Sequence, residues 1–368
     1  MVACYIALTV ALVAILQAFA YRLWGAKKLT YTRRYTPETC FEGETVVMTE
    51  TISNAKLLPM PLVRVESMLA PELKYIASRP GERGKKEAVY GEHNSVFSIP
   101  PYSTVTRRYN MLCEKRGYYA LRAVNITCQE ILGVREAQTA EADINAVVTV
   151  YPRIADFYEL ADLSKNLMGD VVVRRWIAED PFMLRGVREY TTSDPQSKIN
   201  WKASARTGTY MVNENDFTAD IKLRVLLNVQ ADRYYQTDVD PDCIERGVSQ
   251  AAGILQYAVE HGISSSFASN SVDSPLGKNQ TGFGGGKGHL GELFTQLACL
   301  KRQSRMDFRQ FLEEEAASGL NDCGILIMTA YLDEGMEEAI EALRMKGNLV
   351  EVCMLNRTPG TYTTSEGA

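Results

Sequence analysis

Residues Val2 to Tyr21 carry no charged side chain, and their polar members are only Tyr5, Thr9, Gln17 and Tyr21. A helix rises about 1.5 Å per residue, so this run spans about 30 Å, the thickness of a bilayer's hydrocarbon core. Tyr21 and Trp24 sit where an interfacial aromatic belt belongs. Arg22, Lys27, Lys28, Arg33 and Arg34 follow with no acid among them. The positive-inside rule then places the amino terminus outside and everything after residue 25 in the cytoplasm. A signal peptide is the competing reading, since Ala18-Phe19-Ala20 has the small-x-small form of a cleavage site. Against it, no basic residue precedes the run, the run is long for such a segment, and the basic cluster behind it resists export. No later stretch is long and uncharged enough to span again. The expectation is an uncleaved single-pass anchor over residues 1–25.

The other 343 or so residues must fold in water, and composition permits it. Hydrophobic residues are 46% and charged residues 23% of the 368, which excludes disorder and collagen for the whole chain. A net charge of −5 argues against nucleic acid as the main ligand. The chain has 3 histidines, His93, His261 and His289, too scattered to suggest a His-rich metal site. Its 8 cysteines include no C-x-x-C pair and several sit in apolar runs, so they read as buried thiols.

From about 29 to 151 the pattern is short runs rich in Val, Ile, Thr and Tyr, broken by Pro, Gly and Asn. Thr45–Ile52, Leu62–Glu66 and Ala146–Val150 are examples. Such runs read as strands, and several over about 120 residues predict an Ig-like β-sandwich. Residues 81–92 are polar and predict a loop. Residues 152–219 are a connecting segment, with a short helical candidate over 156–166. From 220 to 357 the pattern changes to near-continuous apolar strands separated by amphipathic helices, Asp242–His261 being the longest. That alternation predicts a parallel sheet covered on both faces, a Rossmann-type α/β domain. A Thr-, Ser- and Gly-rich tail covers 358–368. The fold class expected is therefore α+β multidomain: anchor, sandwich, α/β domain.

The most specific stretch runs Arg188-Glu189-Tyr190-Thr191-Thr192-Ser193-Asp194, then Lys198, then Ile199-Asn200-Trp201-Lys202-Ala203-Ser204-Ala205-Arg206-Thr207-Gly208. It resembles the signature of the bacterial family catalogued as "domain of unknown function 58", roughly R-x-Y-x-x-G-D followed by I-x-W-K-x-[ST]-A-R-x-G. Three further segments are similar to family elements: Leu57–Val65, Arg116–Tyr119 and Ile131–Arg135. Ser193 replaces the family's usual Gly, Ser197 stands where Arg is common, and one anchor is found where most members have two. The resemblance implies a carboxy-terminal von Willebrand factor A-like (vWA) domain. It also implies a partner, a MoxR-type AAA+ ATPase, because family members are commonly encoded beside one. Arg188, Tyr190, Asp194, Lys198, Trp201, Lys202 and Arg206 are the candidate binding residues. They interleave charge with aromatic surface, either as a mutually paired loop or as a groove for an anionic partner segment.

An intact vWA metal site needs D-x-S-x-S after its first strand, with Thr and Asp from later loops, an oxygen shell for Mg²⁺. The positions here that the resemblance matches are Asn228, Gln230 and Asp232, with Thr329 where a later Asp is expected. A neutral amide pair replaces charged and hydroxyl ligands. The expectation is a degenerate site, no cofactor, and at most weak Mg²⁺ binding.

Other motifs carry less. Gly282–Gly288 fails the phosphate-loop spacing, because Thr281 stands where the first Gly belongs and Gly288 follows Lys287. No nucleophile–base motif is present, so no catalytic residue is assigned. The function expected is a membrane-anchored, non-enzymatic interaction or adaptor protein in protein remodelling, with cytoplasmic domains. Two rivals stay open. One is a hydrolase using Asp180, Glu189 and Asp194. The other is an exported adhesion-type protein, cleaved after Ala20, with a Cys113–Cys128 disulfide.

Overall fold

The structure, a computed structural model, describes residues 2–24, 27–76, 92–129, 136–155, 184–191, 199–215, 222–230, 241–277 and 279–355. Of the predicted loop at 81–92 only Glu92 is described, and it begins a strand; the helical candidate at 156–166 and the 358–368 tail lie outside the described residues, as do Asp180, Asp194, Lys198 and Asp232. The chain forms two compact units, Met1–Arg153 and Ile154–Ala368.

The first unit opens with α1 (Val2–Trp24). Nine strands follow: β1 (Leu29–Thr36), β2 (Thr39–Phe41), β3 (Thr45–Asn54), β4 (Met60–Met68), β5 (Leu73–Tyr75), β6 (Glu92–Ile99), β7 (Ser103–Cys113), β8 (Gly117–Gln129) and β9 (Glu136–Tyr151). They make two sheets, in the orders β1-β3-β7-β5 and β2-β9-β8-β4-β6. Every pair is antiparallel except the short β2 on β9. The expected β-sandwich is present. Period-two alternation builds it: Val46, Met48 and Ile52 of β3 point inward, against Val63, Val65, Phe97 and Val148.

That inward row also carries Glu50, which is fully buried. Arg33 Nη2 and Tyr31 Oη each donate to Glu50 Oε1 at 2.5 Å, Ser95 Oγ donates to Oε2 at 2.7 Å, and His93 Nε2 lies 2.8 Å from Oε1. Tyr75 hydrogen-bonds the other imidazole nitrogen. Burial alone would raise the Glu50 carboxyl, but the hydrogen bond and charge of His93, then Arg33 and Tyr31, outweigh it and bring it down to about 2. Serine, histidine and carboxylate meet here, yet all three are sealed in the core, so the cluster ties strands together rather than meeting a substrate.

The second unit holds a small layer and a large one. In the small layer β10 (Leu184–Glu189) pairs antiparallel with β11 (Met211–Asn215), and α2 (Trp201–Thr207) lies between them in sequence. The large layer runs β12 (Lys222–Leu227), α3 (Pro241–Glu260), β13 (Ser264–Ser269), α4 (Gly286–Cys299), α5 (Phe308–Ala317), β14 (Gly324–Thr329), α6 (Glu334–Met345) and β15 (Leu349–Met354). Its four strands are all parallel, in the order β13-β12-β14-β15. Leu226, Ile325 and Ile327 pack under α5 and α6. Leu227 points the other way, to α3, where Gly247 lets the helix close in: a Cβ there would meet Leu355 at 2.9 Å and Leu227 at 3.2 Å. Arg224 of β12 reaches Glu315 of α5 through two bonds of 2.8 and 3.0 Å, locking one helix layer onto the sheet. In this order the chain reverses its direction of growth beside β12, so the carboxyl ends of β12, β13 and β14 form the switch point where open α/β sheets place ligands.

Candidate functional site

The signature segment is a short, tightly capped helix. Asn200 Oδ1 accepts from the Ala203 N–H at 3.0 Å, and its Nδ2 donates to Asn213 Oδ1 at 2.6 Å. Ser204, buried, donates to the Asn200 carbonyl and accepts from the Met211 N–H, both at 2.8 Å. Gly208 ends the helix at φ 75°, a left-handed conformation that glycine adopts without strain. The Tyr190 N–H donates to the Tyr210 carbonyl at 2.8 Å, which ties β10 to the strand entry of β11.

With Asn200, Ser204 and Gly208 occupied in holding the turn, Arg188, Trp201, Lys202 and Arg206 face solvent, and Tyr190 is half-buried. Trp201 is 68% exposed and Tyr210 62%. Their rings meet edge-on at 6.3 Å, and Tyr190 meets Tyr210 likewise at 6.3 Å. Arg188, Lys202 and Arg206 are exposed on the same element group. Arg206 lies in the last turn of α2, where the helix dipole favours a cation. Of the seven candidate binding residues, Tyr190 and Trp201 are joined through Tyr210, and Arg188, Lys202 and Arg206 are exposed on β10 and α2. Asp194 and Lys198 lie outside the described residues. Asn200, Ser204 and Tyr210 were not singled out from sequence. The first two carried a signal, a capping Asn and a buried hydroxyl at helical spacing.

The switch point is filled differently. Asn228, Gln230, Asn270 and Thr329 are all buried. Backbone donors fix each amide's orientation: the Val229 N–H donates to Asn270 Oδ1 at 3.0 Å, Gln230 N–H to Asn228 Oδ1 at 2.9 Å, and Phe308 N–H to Gln230 Oε1 at 2.8 Å. Asn270 Nδ2 then bridges Asn228 Oδ1 at 3.1 Å and Gln230 Oε1 at 3.2 Å. Asn228 Nδ2 donates to Thr329 Oγ1 at 2.9 Å, and the Thr329 hydroxyl donates to the Tyr331 carbonyl at 2.8 Å. The three degenerate metal positions that are described meet at one point, joined by Asn270. A divalent cation needs oxygen lone pairs converging on an open position. Here each oxygen already accepts from an N–H, and the Asn270 amide donates to two of them at once. This donor set does not fit Mg²⁺. Asp232 lies outside the described residues.

The segment that holds both places, residues 186–359, matches the family described as "Protein of unknown function DUF58". Over this segment the chain is a member of the DUF58 family. No curated protein matches it significantly. Solved structures similar to the chain include a non-cellulosomal cohesin from Archaeoglobus fulgidus, 12% identical, covering 36% of this chain and 97% of that one, TM-score 0.23. A second type II cohesin module of ScaA from Acetivibrio cellulolyticus is 11% identical, covering 34% and 95%, TM-score 0.24. The CARDB domain of a Pyrococcus furiosus protein is 14% identical, covering 34% and 94%, TM-score 0.21. Scores this low assign nothing, and the sandwich rests on its own strand pairing.

Within the DUF58 segment, Glu189 is exposed on β10. Among the described residues no three His, Cys, Asp or Glu side chains come together as a metal would need. The Gly-rich loop has a packing role: Gly284 pairs with Ser265, and a Cβ on it would strike His289 at 2.7 Å. Cys113 and Cys128, the pair an exported chain would join, are separate buried thiols. The Cys113 thiol hydrogen-bonds that of Cys40, and burial raises Cys128 to about 11.

Proposed function

We propose that this DUF58 protein is a membrane-anchored, non-enzymatic interaction subunit whose α/β layer is a vWA-like domain working without a metal. The observation that carries this is the Trp201–Tyr210–Tyr190 surface. A tryptophan 68% exposed, on a strand–helix element that also exposes Arg188, Lys202 and Arg206, has the composition of an interface hot spot for an acidic partner segment. The vWA-like reading is supported by the strand order and by Asn228, Gln230 and Thr329 meeting where such domains hold their ion. The partner is a MoxR-type AAA+ ATPase, and the reaction served is protein remodelling or maturation. That assignment comes from family resemblance.

Anchoring is supported by α1, whose 23 residues carry no charge before Arg22 and whose Leu8, Leu12, Ile15, Leu16 and Phe19 are exposed. Among the described residues no helix is long and apolar enough to cross a membrane, but ten α1 side chains fall outside them. The anchor rests on the sequence of the whole run. In this reading the bacterial cell membrane holds a single pass, amino terminus outside, with both units in the cytoplasm.

The full chain in lipid nanodiscs, titrated with the ATPase in ATP and in ADP, tests the assignment. Nucleotide-dependent binding that is lost with Lys202→Glu and Arg206→Glu supports it. Absence of binding in either nucleotide state removes the ATPase from the account.

A further inference from the structure

The exit of α1 is laced to two loops of the sandwich. Tyr21 is buried, and its hydroxyl donates to the Pro59 carbonyl at 2.6 Å. Lys56 Nζ donates to the carbonyls of Trp24 at 2.7 Å and Lys27 at 2.9 Å, capping the helix end. The Ala55 N–H donates to the Lys28 carbonyl and the Tyr102 N–H to the Lys56 carbonyl, both at 3.1 Å. Asn54 Nδ2 spans the Leu58 and Pro100 carbonyls at 2.9 and 3.1 Å. The β3–β4 loop, the β6–β7 loop and the helix end therefore form one polar-locked platform.

What this platform shows to solvent is apolar. Leu57 is 73% exposed, Tyr102 71% and Trp24 55%. Tyr102 is held at φ 49°, a conformation that costs an aromatic residue energy and persists only where its surroundings impose it. A strained backbone that presents a tyrosine to solvent serves nothing inside the sandwich. Lys27 and Lys28 are exposed beside it. No Asp or Glu occurs in residues 22–34, 54–61 or 99–108. Aliphatic and aromatic tips among basic residues, with no acid, match the boundary between acyl chains and anionic headgroups.

We propose that this end of the sandwich is a second membrane contact, with Leu57 and Tyr102 seated at the headgroup boundary of an anionic bilayer next to Trp24. The proposal rests on the anchor reading of α1. It adds that the sandwich lies on the bilayer surface, held by the Lys56 and Tyr21 locks, and does not swing on a free linker.

The test uses the full chain in phosphatidylcholine nanodiscs with and without phosphatidylglycerol. Leu57→Cys, Tyr102→Cys, Leu12→Cys and Met68→Cys are introduced one at a time into a chain carrying Cys4→Ser, the seven buried thiols being left in place, and each introduced cysteine carries an environment-sensitive fluorophore. Met68 is exposed at the far end of β4 from the platform and is the aqueous control. A lipid-borne quencher should cut emission at 57 and 102 by more than half when phosphatidylglycerol is present, quench 12 fully, and leave 68 unchanged. Quenching at 12 with 57 and 102 behaving like 68 overturns the platform and leaves the anchor standing. No quenching at 12 overturns the anchor reading and the platform with it.

Discussion

The α/β unit has two candidate places for a ligand, and they are built in opposite ways. At the switch point Asn228, Gln230, Asn270 and Thr329 spend their polar atoms on one another and on three backbone N–H groups. At α2 the polar residues that could be buried, Asn200 and Ser204, do all the holding, and Trp201, Lys202 and Arg206 are left outside. The first arrangement turns a ligand site into a structural rivet. The second turns a short loop into a rigid display. A fold position therefore does not carry function by itself; what decides is whether its polar atoms are already satisfied.

On this contrast, the largest stability effect belongs to the rivet. Asn270→Leu strands the buried Val229 N–H and takes one of two donors from each neighbouring amide oxygen, and should cost about 3 kcal/mol in urea unfolding. A cost below about 1 kcal/mol would mean the network is not load-sharing.

A pH series sharpens the same point, because the rivet is neutral whereas the sandwich core is charged. The Glu50 carboxyl titrates at about 2 in the fold, below its ordinary value of about 4.3 in an unfolded chain. Its stabilisation is therefore complete above about pH 4.5 and is lost as pH falls toward 2. Acid should weaken the sandwich over that window, and Glu50→Gln should flatten this dependence while lowering stability at neutral pH. The amide cluster has no titrating group, so exchange protection of the Val229 and Gln230 N–H groups should not follow Glu50.

Asn200→Ala removes a helix cap and should cost about 1 kcal/mol, with loosened α2 visible as faster amide exchange at Ala203. Trp201→Ala should change stability by less than about 0.5 kcal/mol, since the side chain is mostly in water. A large destabilisation there would show that the tryptophan braces the fold.

Much of this was legible in the sequence where one physical rule acts alone. Period-two runs gave the sandwich strands, and near-continuous apolar runs such as Ile325–Met328 gave the parallel sheet. The signature's location was readable from its residue types. Three things were not. Glu50 sits at an inward position of β3, and only tertiary partners 17 to 45 residues away reveal why a carboxylate is tolerated there. Asn270 follows β13 as Asn228 follows β12, but their meeting depends on parallel pairing across 42 residues. Asn200 and Ser204 were read as parts of a motif, whereas the structure separates the residues that hold the turn from those it displays.

The most direct measurement compares two variants of the full chain, Trp201→Ala and Asn228→Ala, for affinity toward the proposed partner, a MoxR-type AAA+ ATPase, in nucleotide-saturated conditions. The account predicts that Trp201→Ala weakens binding by about tenfold or more at unchanged stability, as loss of a buried aromatic anchor does. Asn228→Ala should lower stability and leave the affinity of the folded protein intact. Unchanged affinity with Trp201→Ala, together with lost affinity in a folded Asn228→Ala protein, would contradict the account and return the binding role to the switch point.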